Sequence, residues 1–224
     1  MKRIGCFHAH HSNIELIDRA LEGFNVELIH FVDPGLDRLK KDPGFTMQFA
    51  EKKVLDTLEW IESCHVDAIL VTCTFFTGIL RDDLHASRVP VIKIDAPLFE
   101  LLTEQDRPVV LVFTNPQTIE GTMKRFNQLM AGKGIAARAE ARLLEGTFEL
   151  IMQGRKEDYL REVTAGFIRI AKENPDLLIA AAQLSMAPAA RDAASVISME
   201  GIRTANPLDA LSGYLEDKLS LGSR

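Results

Sequence analysis

Short apolar runs alternate with amphipathic stretches along the whole chain. Runs of four to eight apolar, partly β-branched residues bounded by turn residues are typical of strands buried on both faces. Apolar residues at three- and four-residue steps are typical of amphipathic helices. The first pattern predicts strands over residues 2–7, 26–32, 68–71, 89–94, 109–113, 135–141, 177–181 and 195–198. The second predicts helices over residues 14–21, 45–63, 79–86, 98–103, 119–130, 157–172, 187–194 and 207–219.

This alternation predicts an α/β fold made of mainly parallel sheets covered by helices. The two halves of the chain also resemble each other. An aspartate precedes an apolar strand in each half, and counting from Asp67 and Asp176 makes Cys73 and Ala182 equivalent. We therefore predict two similar three-layer α/β/α halves with a cleft between them. The first comprises residues 1–96 with 208–224, and the second comprises residues 97–207.

Composition and charge exclude several classes of protein. The chain has 224 residues, of which 46% are hydrophobic and 26% charged, so we expect a folded globular protein. The net charge of -6, without a basic block, argues against nucleic acid or a membrane as partner. The three cysteines lack zinc-site spacing, and no secretory signal is recognisable, so we expect free thiols and a cytoplasmic protein.

The strand over residues 68–71 carries the strongest candidate for chemistry. It ends in Thr72, Cys73 and Thr74, and in open parallel sheets the ligand site lies beyond the carboxyl ends of the strands. We therefore interpret Cys73 as a base or nucleophile, although a buried cysteine also serves as a small hydrophobic residue. Cys6, inside the first strand, and Cys64, at a helix end, are expected to be inert.

The chain resembles the aspartate/glutamate racemase superfamily. Three segments carry the resemblance: DAILVTCT around Cys73, VPVIKID at 89–95, and VVLVFTNPQTIEGT with Thr114 and Thr118. The resemblance implies two α/β halves, catalysis without a cofactor or metal, a small carboxylate substrate and a homodimer. It implies a carboxylate-binding role for Thr114 and Thr118. We extend the set of substrate-binding candidates to Thr72, Thr74, Asn115, Gln183 and Ser185.

The sequence departs from the racemase pattern at two places. Family members carry a second cysteine in a Gly-Cys-Thr-His segment, whereas this chain has Ala181-Ala182-Gln183-Leu184-Ser185. An aspartate often follows the first strand in the family, whereas His8 occupies that region here and is our candidate partner acid. A single thiol fits one-sided chemistry, such as decarboxylation, cis–trans isomerisation or elimination, better than two-base racemisation.

Two other functions remain open at this point. The missing second thiol favours a non-catalytic small-molecule binding protein on the same fold. The cluster His8-Ala9-His10-His11 favours a metal-dependent hydrolase, because alternate residues of an extended segment point the same way. No second His-rich motif or acidic cluster at strand ends accompanies it.

Overall fold

The structure is a computed structural model that describes residues 1–80, 87–136 and 138–224. It has two compact units, Met1–Ala96 with Leu211–Arg224, and Pro97–Ala210. Each unit contains a four-stranded parallel sheet flanked by helices, as the α/β prediction required. The domain boundaries drawn from the sequence stay a prediction. No helix in the described part of the chain has the length and hydropathy needed to cross a membrane.

The sheet of the first unit has the strand order β2-β1-β3-β4. Its strands are Lys2–His8 (β1), Val26–Val32 (β2), Ala68–Val71 (β3) and Val91–Lys93 (β4). Its helices are Asn13–Leu21 (α1), Gly35–Leu39 (α2), Met47–Ser63 (α3) and Thr74–Ile79 (α4). The predicted helix over residues 79–86 falls mainly on 81–86, which lie outside the described residues.

Helix α3 covers one face of this first sheet. Its buried residues Val54, Leu58 and Ile61 pack in one cluster with Phe7, Ile69 and Val71 of the strands. The contact is close at Gly5, where an added Cβ would lie 2.5 Å from Ile61 Cγ2 and 3.2 Å from Val66 Cγ1. Glycine at this position therefore sets the distance between β1 and α3.

The second unit repeats the same strand order as β6-β5-β7-β8. Its strands are Val109–Phe113 (β5), Ala139–Leu143 (β6), Leu178–Ala181 (β7) and Arg203–Ala205 (β8). Its helices are Ala96–Thr103 (α5), Ile119–Gly132 (α6), Thr147–Met152 (α7), Lys156–Glu173 (α8) and Ala187–Ile197 (α9). Helix α10, Pro207–Leu219, leads back into the first unit.

Both faces of the second sheet are buried. Val110, Val112 and Ile179 pack on the side of α8 and α9, whereas Leu111, Phe113 and Ala180 pack on the side of α5 and α6. Successive side chains of a strand point to opposite faces, so a strand that is buried on both faces requires a continuous apolar run. This arrangement makes the unit a three-layer α/β/α structure.

The sequence prediction was wrong at the last strand of this sheet. Residues 195–198 were expected to be a strand, but α9 continues to Ile197 and a 3-10 turn, Ser198–Glu200, follows. Ala189, Ala190, Ala193 and Ile197 are all buried at helical spacing, so burial of this face extends the helix. The strand instead comprises Arg203–Ala205.

Candidate active site

Cys73 lies at the point where β3 ends and α4 begins. The four residues of β3 are all buried, and Cys73 is the extended N-cap residue of α4, with φ -102° and ψ 119°. Its carbonyl oxygen accepts a hydrogen bond from the Thr77 N–H at 2.9 Å. The chain turn therefore fixes the backbone of Cys73 at the carboxyl edge of the sheet, with the side chain partly buried.

The environment of Cys73 favours the protonated thiol. Burial raises its pKa to about 11, and Asp37 acts in the same direction. The backbone N–H groups of Phe76 and Phe75, and the Lys40 ammonium, lower the pKa by smaller amounts. Lys40 Nζ is itself held 2.6 Å from Asp37 Oδ1, which weakens its influence on the sulfur. At neutral pH Cys73 is therefore a thiol, whereas the sequence argument for a base required a lowered pKa.

Thr72, the residue before Cys73, belongs to a chain of buried hydrogen bonds. Its Oγ1 lies 2.8 Å from His8 Nδ1 and 3.3 Å from Asn13 Nδ2. His8 Nε2 lies 2.8 Å from His30 Nδ1, and His30 Nε2 lies 3.0 Å from Asp18 Oδ1. The series runs from the carboxyl end of β3, across β1 and β2, to a half-exposed carboxylate on α1.

One proton on each group satisfies every contact of this series. Thr72 donates to His8 Nδ1, His8 Nε2–H donates to His30 Nδ1, and His30 Nε2–H donates to Asp18. The Phe7 carbonyl, 3.2 Å from Thr72 Oγ1, already accepts the Thr72 N–H at 2.9 Å. In this arrangement His8 accepts a hydrogen bond at Nδ1 and donates one from Nε2.

His8 is fully buried and neutral near pH 7. Its pKa is lowered to about 4, chiefly by burial. Nearby His30 also lowers the pKa, and this effect is larger than the opposing effect of Asp18, which raises it. Both ring nitrogens already have partners. His8 therefore holds Thr72 in place in the resting protein, and it is not a charged acid that could donate a proton to a ligand.

In the second unit, a single amide oxygen collects three donors. Gln183 Oε1 accepts hydrogen bonds from the Thr114 N–H at 2.8 Å, the Thr114 hydroxyl at 2.9 Å and the Asn115 N–H at 3.0 Å. Gln183 and Thr114 are both buried. The side chain of Gln183 thus ties the end of β7 to the end of β5.

Tyr159, on α8, links two further candidates. Its hydroxyl lies 2.9 Å from Ser185 Oγ and 3.5 Å from Thr114 Oγ1. Burial raises the Tyr159 pKa, and the hydrogen bonds with Ser185 and Thr114 partly oppose the shift. The phenol therefore acts as a neutral hydrogen-bonding group.

Asn115 and Thr118 make local contacts after β5. Asn115 Oδ1 accepts the Gln117 N–H at 3.0 Å, and the Thr118 hydroxyl donates to the Asn115 carbonyl at 2.9 Å. These bonds shape the 3-10 turn Pro116–Thr118 that precedes α6.

The two sheets place Cys73 and Gln183 at equivalent positions. Val71 pairs with Phe7, and the next residue, Thr72, donates its N–H to the Phe7 carbonyl. Ala181 pairs with Val112 in the same way, and Ala182 donates its N–H to Val112. Cys73 follows the first of these pairs and Gln183 follows the second. Counting from the aspartates had wrongly matched Cys73 with Ala182.

Two of the three histidines in the proposed metal-hydrolase cluster, His8 and His10, belong to separate networks. His8 contacts Thr72 and His30, whereas His10 is exposed and its Nδ1 lies 2.8 Å from Ser12 Oγ. Strand β1 ends at His8, so the extended backbone that would point the His8 and His10 side chains in the same direction does not reach His10.

The structure brings the sequence-predicted site residues together in two groups, one per unit. The first unit holds Cys73, Thr72, Thr74 and His8, and the second holds Thr114, Asn115, Thr118, Gln183 and Ser185. Thr74 is partly buried, and its carbonyl accepts the Thr77 hydroxyl at 3.1 Å.

Sequence reasoning missed His30 and Tyr159. A histidine between Ile29 and Phe31 of an apolar strand was the signal for the first. Nothing in the pattern of α8 distinguishes Tyr159 from an ordinary core aromatic residue.

Comparison with known proteins adds structural likeness. No family model and no curated protein sequence matches the chain. The glutamate racemase of Francisella tularensis, solved with D-glutamate, superposes with TM-score 0.71 at 15% identity, covering 98% of this chain and 81% of that one. The Picrophilus torridus aspartate racemase superposes with TM-score 0.72 at 10% identity, covering 100% of this chain and 96% of that one. The Klebsiella pneumoniae allantoin racemase superposes with TM-score 0.67 at 16% identity, covering 98% of this chain and 88% of that one. The chain therefore has the fold that these glutamate, aspartate and allantoin racemases share.

Proposed function

We propose that this protein is a cofactor-independent isomerase or lyase that acts on a small carboxylic or amino acid through Cys73. The observation that carries the proposal is a partly buried thiol at the carboxyl end of β3, on the fold that the racemases share. Ligand sites of open α/β sheets lie beyond this edge. The likeness to racemases supports the choice of small carboxylates as substrates.

The protonated state of Cys73 supports a role as proton donor. With a pKa of about 11, the resting thiol can deliver a proton to a carbanion formed next to a substrate carboxyl group. In a decarboxylation, the carbon–carbon bond breaks, carbon dioxide leaves and its electron pair stays on the α-carbon. Cys73 then protonates that carbon, and solvent returns a proton to the thiolate.

The glutamine at the equivalent position supports one-sided chemistry. An amide neither accepts nor donates a proton readily near neutral pH, so Gln183 cannot supply the second thiol's function in a two-base racemase. Its Oε1 fixes Thr114 and Asn115, and its amide nitrogen takes no part in those three contacts. In the second unit we assign substrate binding to this nitrogen, Ser185 and Thr118, with Thr114 and Asn115 shaping the surrounding backbone. In the first unit we assign it to Thr74, with Thr72 shaping the backbone beside it.

A panel of small mono- and dicarboxylic acids and amino acids, incubated in deuterium oxide, tests the proposal. Proton NMR follows deuterium uptake at the α-carbon, change of double-bond geometry and loss of the carboxyl group. We expect turnover of at least one compound, reduced by about 10²- to 10⁴-fold in Cys73→Ala. Cys64→Ala, at the end of α3, is the matched control and should retain turnover. Full activity of Cys73→Ala would overturn the mechanism.

A non-catalytic binding protein is the second candidate, and the raised pKa of Cys73 favours it. It predicts that a carboxylate raises the melting temperature without being converted. Binding to the native state stabilises by about 2.7 kcal/mol at a ligand concentration 100 times Kd, which thermal shift detects readily. Stabilisation without turnover across the panel would replace the enzyme proposal with this one.

A further inference from the structure

Three side chains of types that can ligate a metal converge on one face of the first sheet. Cys6 and His8 are two residues apart on β1, so both point to the same face. His30 on β2 pairs in register with Cys6 and therefore shares that face. One ligand-capable atom of each residue lies within 4.8 Å of the other two. We propose that Cys6, His8 and His30 form a binding site for a thiolate- and imidazole-preferring divalent cation, with Zn²⁺ as the first candidate.

The distance between the two histidine nitrogens is close to that of a zinc site. With Zn–N bonds of about 2.0–2.1 Å and tetrahedral angles, two ligating nitrogens lie roughly 3.3 Å apart. His8 Nε2 and His30 Nδ1 are now 2.8 Å apart, so the rings would separate by about 0.5 Å. The ring centroids are 5.1 Å apart and the ring planes differ by 25°, which together with the 2.8 Å contact between the two nitrogens places the rings edge to edge. Both nitrogen lone pairs lie in the ring planes and can therefore be turned toward a cation between them.

The outer nitrogens of both histidines already have the partners that ligating imidazoles require. His8 Nδ1 lies 2.8 Å from Thr72 Oγ1, and His30 Nε2 lies 3.0 Å from Asp18 Oδ1. Such contacts fix the ring orientation and the tautomer of metal-bound histidines. The carboxylate–histidine pair also places a negative charge near the cation.

The hydrogen-bond series has a second proton arrangement that suits a cation. If the His8 proton moves to Nδ1, it donates to Thr72 Oγ1, and the Thr72 hydroxyl then donates to the Phe7 carbonyl 3.2 Å away. That change frees the lone pair of His8 Nε2 opposite that of His30 Nδ1. Two facing lone pairs repel each other unless a proton or a metal lies between them. Metal binding then displaces only one proton, that of the Cys6 thiol.

The site is buried but has a route to solvent. Cys6 and His8 are fully buried, whereas the His30 side chain is 17% exposed and Asp18 is half-exposed. Three protein ligands leave one tetrahedral position for water or a small ligand. The proposal does not depend on the function assigned to Cys73.

Cobalt(II) titration of the chelator-treated full-length protein tests the site. We expect one equivalent to bind, with a thiolate-to-cobalt band in the near ultraviolet and the intense visible bands of tetrahedral coordination. Zn²⁺ should displace the cobalt, and calorimetry in buffers of different ionisation enthalpy should show release of about one proton. Absence of saturable binding would overturn the proposal.

Variants separate this site from adventitious binding. Cys6→Ala should abolish the thiolate band, whereas the matched controls Cys64→Ala and Cys73→Ala should keep it. Asp18→Asn should weaken binding by about 10- to 100-fold while leaving the band in place. If Cys6→Ala fails to fold, His30→Ala provides the same test at a partly exposed position and should lose the visible bands. Retention of the complete spectrum in either folded variant would refute the assignment.

Discussion

Cys73 and Gln183 occupy the same position in the two sheets. Cys73 is the second residue after β3, which pairs with β1, and Gln183 is the second residue after β7, which pairs with β5. The repeated topology therefore carries a thiol in one unit and an amide in the other. Gln183 Oε1 uses that position to hold three donors. The same place in the fold thus holds the thiol that we propose for chemistry in one unit and an amide that ties two strand ends together in the other.

The three donors make Gln183 important for stability. We expect Gln183→Leu to destabilise the protein by about 1–3 kcal/mol, because buried donors of Thr114 and Asn115 lose their acceptor. Gln183→Glu retains an acceptor oxygen and should cost less at neutral pH. Chemical denaturation measures both, and Gln153→Leu, at an exposed position, should stay within about 0.5 kcal/mol of the parent. Equal effects of the two leucine variants would contradict this role.

Cys73 should alkylate slowly at neutral pH. Because its pKa is raised to about 11, the rate with iodoacetamide should still increase about tenfold per pH unit between about pH 8 and pH 10. Mass spectrometry of the peptide containing Cys73 measures the rate, and Cys73→Ala identifies the modified site. Circular dichroism at the highest pH checks the fold. A plateau beginning below about pH 8.5 would show an activated thiol instead.

His8 should make stability depend on pH. Its folded-state pKa, about 4, lies below the ordinary value of 6.5, so on acidification the unfolded chain takes up a proton before the folded chain does. Stability should be unaffected by His8 above about pH 6.5 and fall between about pH 6.5 and pH 4, by up to about 3 kcal/mol. Denaturation at several pH values measures the slope. His8→Gln should show a shallower slope in this window, and an unchanged slope would contradict the assignment.

The close approach at Gly5 predicts a steric effect. Gly5→Ala would place Cβ 2.5 Å from Ile61 Cγ2, so β1 and α3 must separate, at a cost of about 1–3 kcal/mol. The matched control is Gly213→Ala in α10, where nothing lies within 4 Å of the added Cβ. That variant should gain about 0.5–1 kcal/mol, since alanine favours the helix. Thermal denaturation of both variants checks the opposite signs.

The sequence predicted the elements that burial on both faces strongly dictates. The run Val109–Phe113 and the period of α3 leave few alternatives, so both the α/β class and the likeness to racemases could be recognised. Short or polar elements were less visible. β8 has three residues, of which Arg203 is exposed, and α2 and α7 have only five and six residues.

Local pattern proposes candidate site residues but does not predict the contacts between them. The position of Cys73 after a buried strand follows from local pattern alone. The partnership of His8 with His30 depends on the register between β1 and β2, which no local pattern encodes. The raised pKa of Cys73 likewise depends on burial, which is a property of the folded chain.

The division of the chain has a consequence for biosynthesis. The second unit is one continuous segment, Pro97–Ala210, whereas the first also needs Leu211–Arg224. Within the first unit, the Asn25 N–H donates to the Gly222 carbonyl at 2.8 Å, and the Ser212 hydroxyl donates to the Ala20 carbonyl at 3.1 Å. On the ribosome, the segment synthesised later can therefore finish folding first. The first unit cannot make these contacts until residues beyond 210 have emerged from the exit tunnel, so it is the unit that a chaperone would protect for longer.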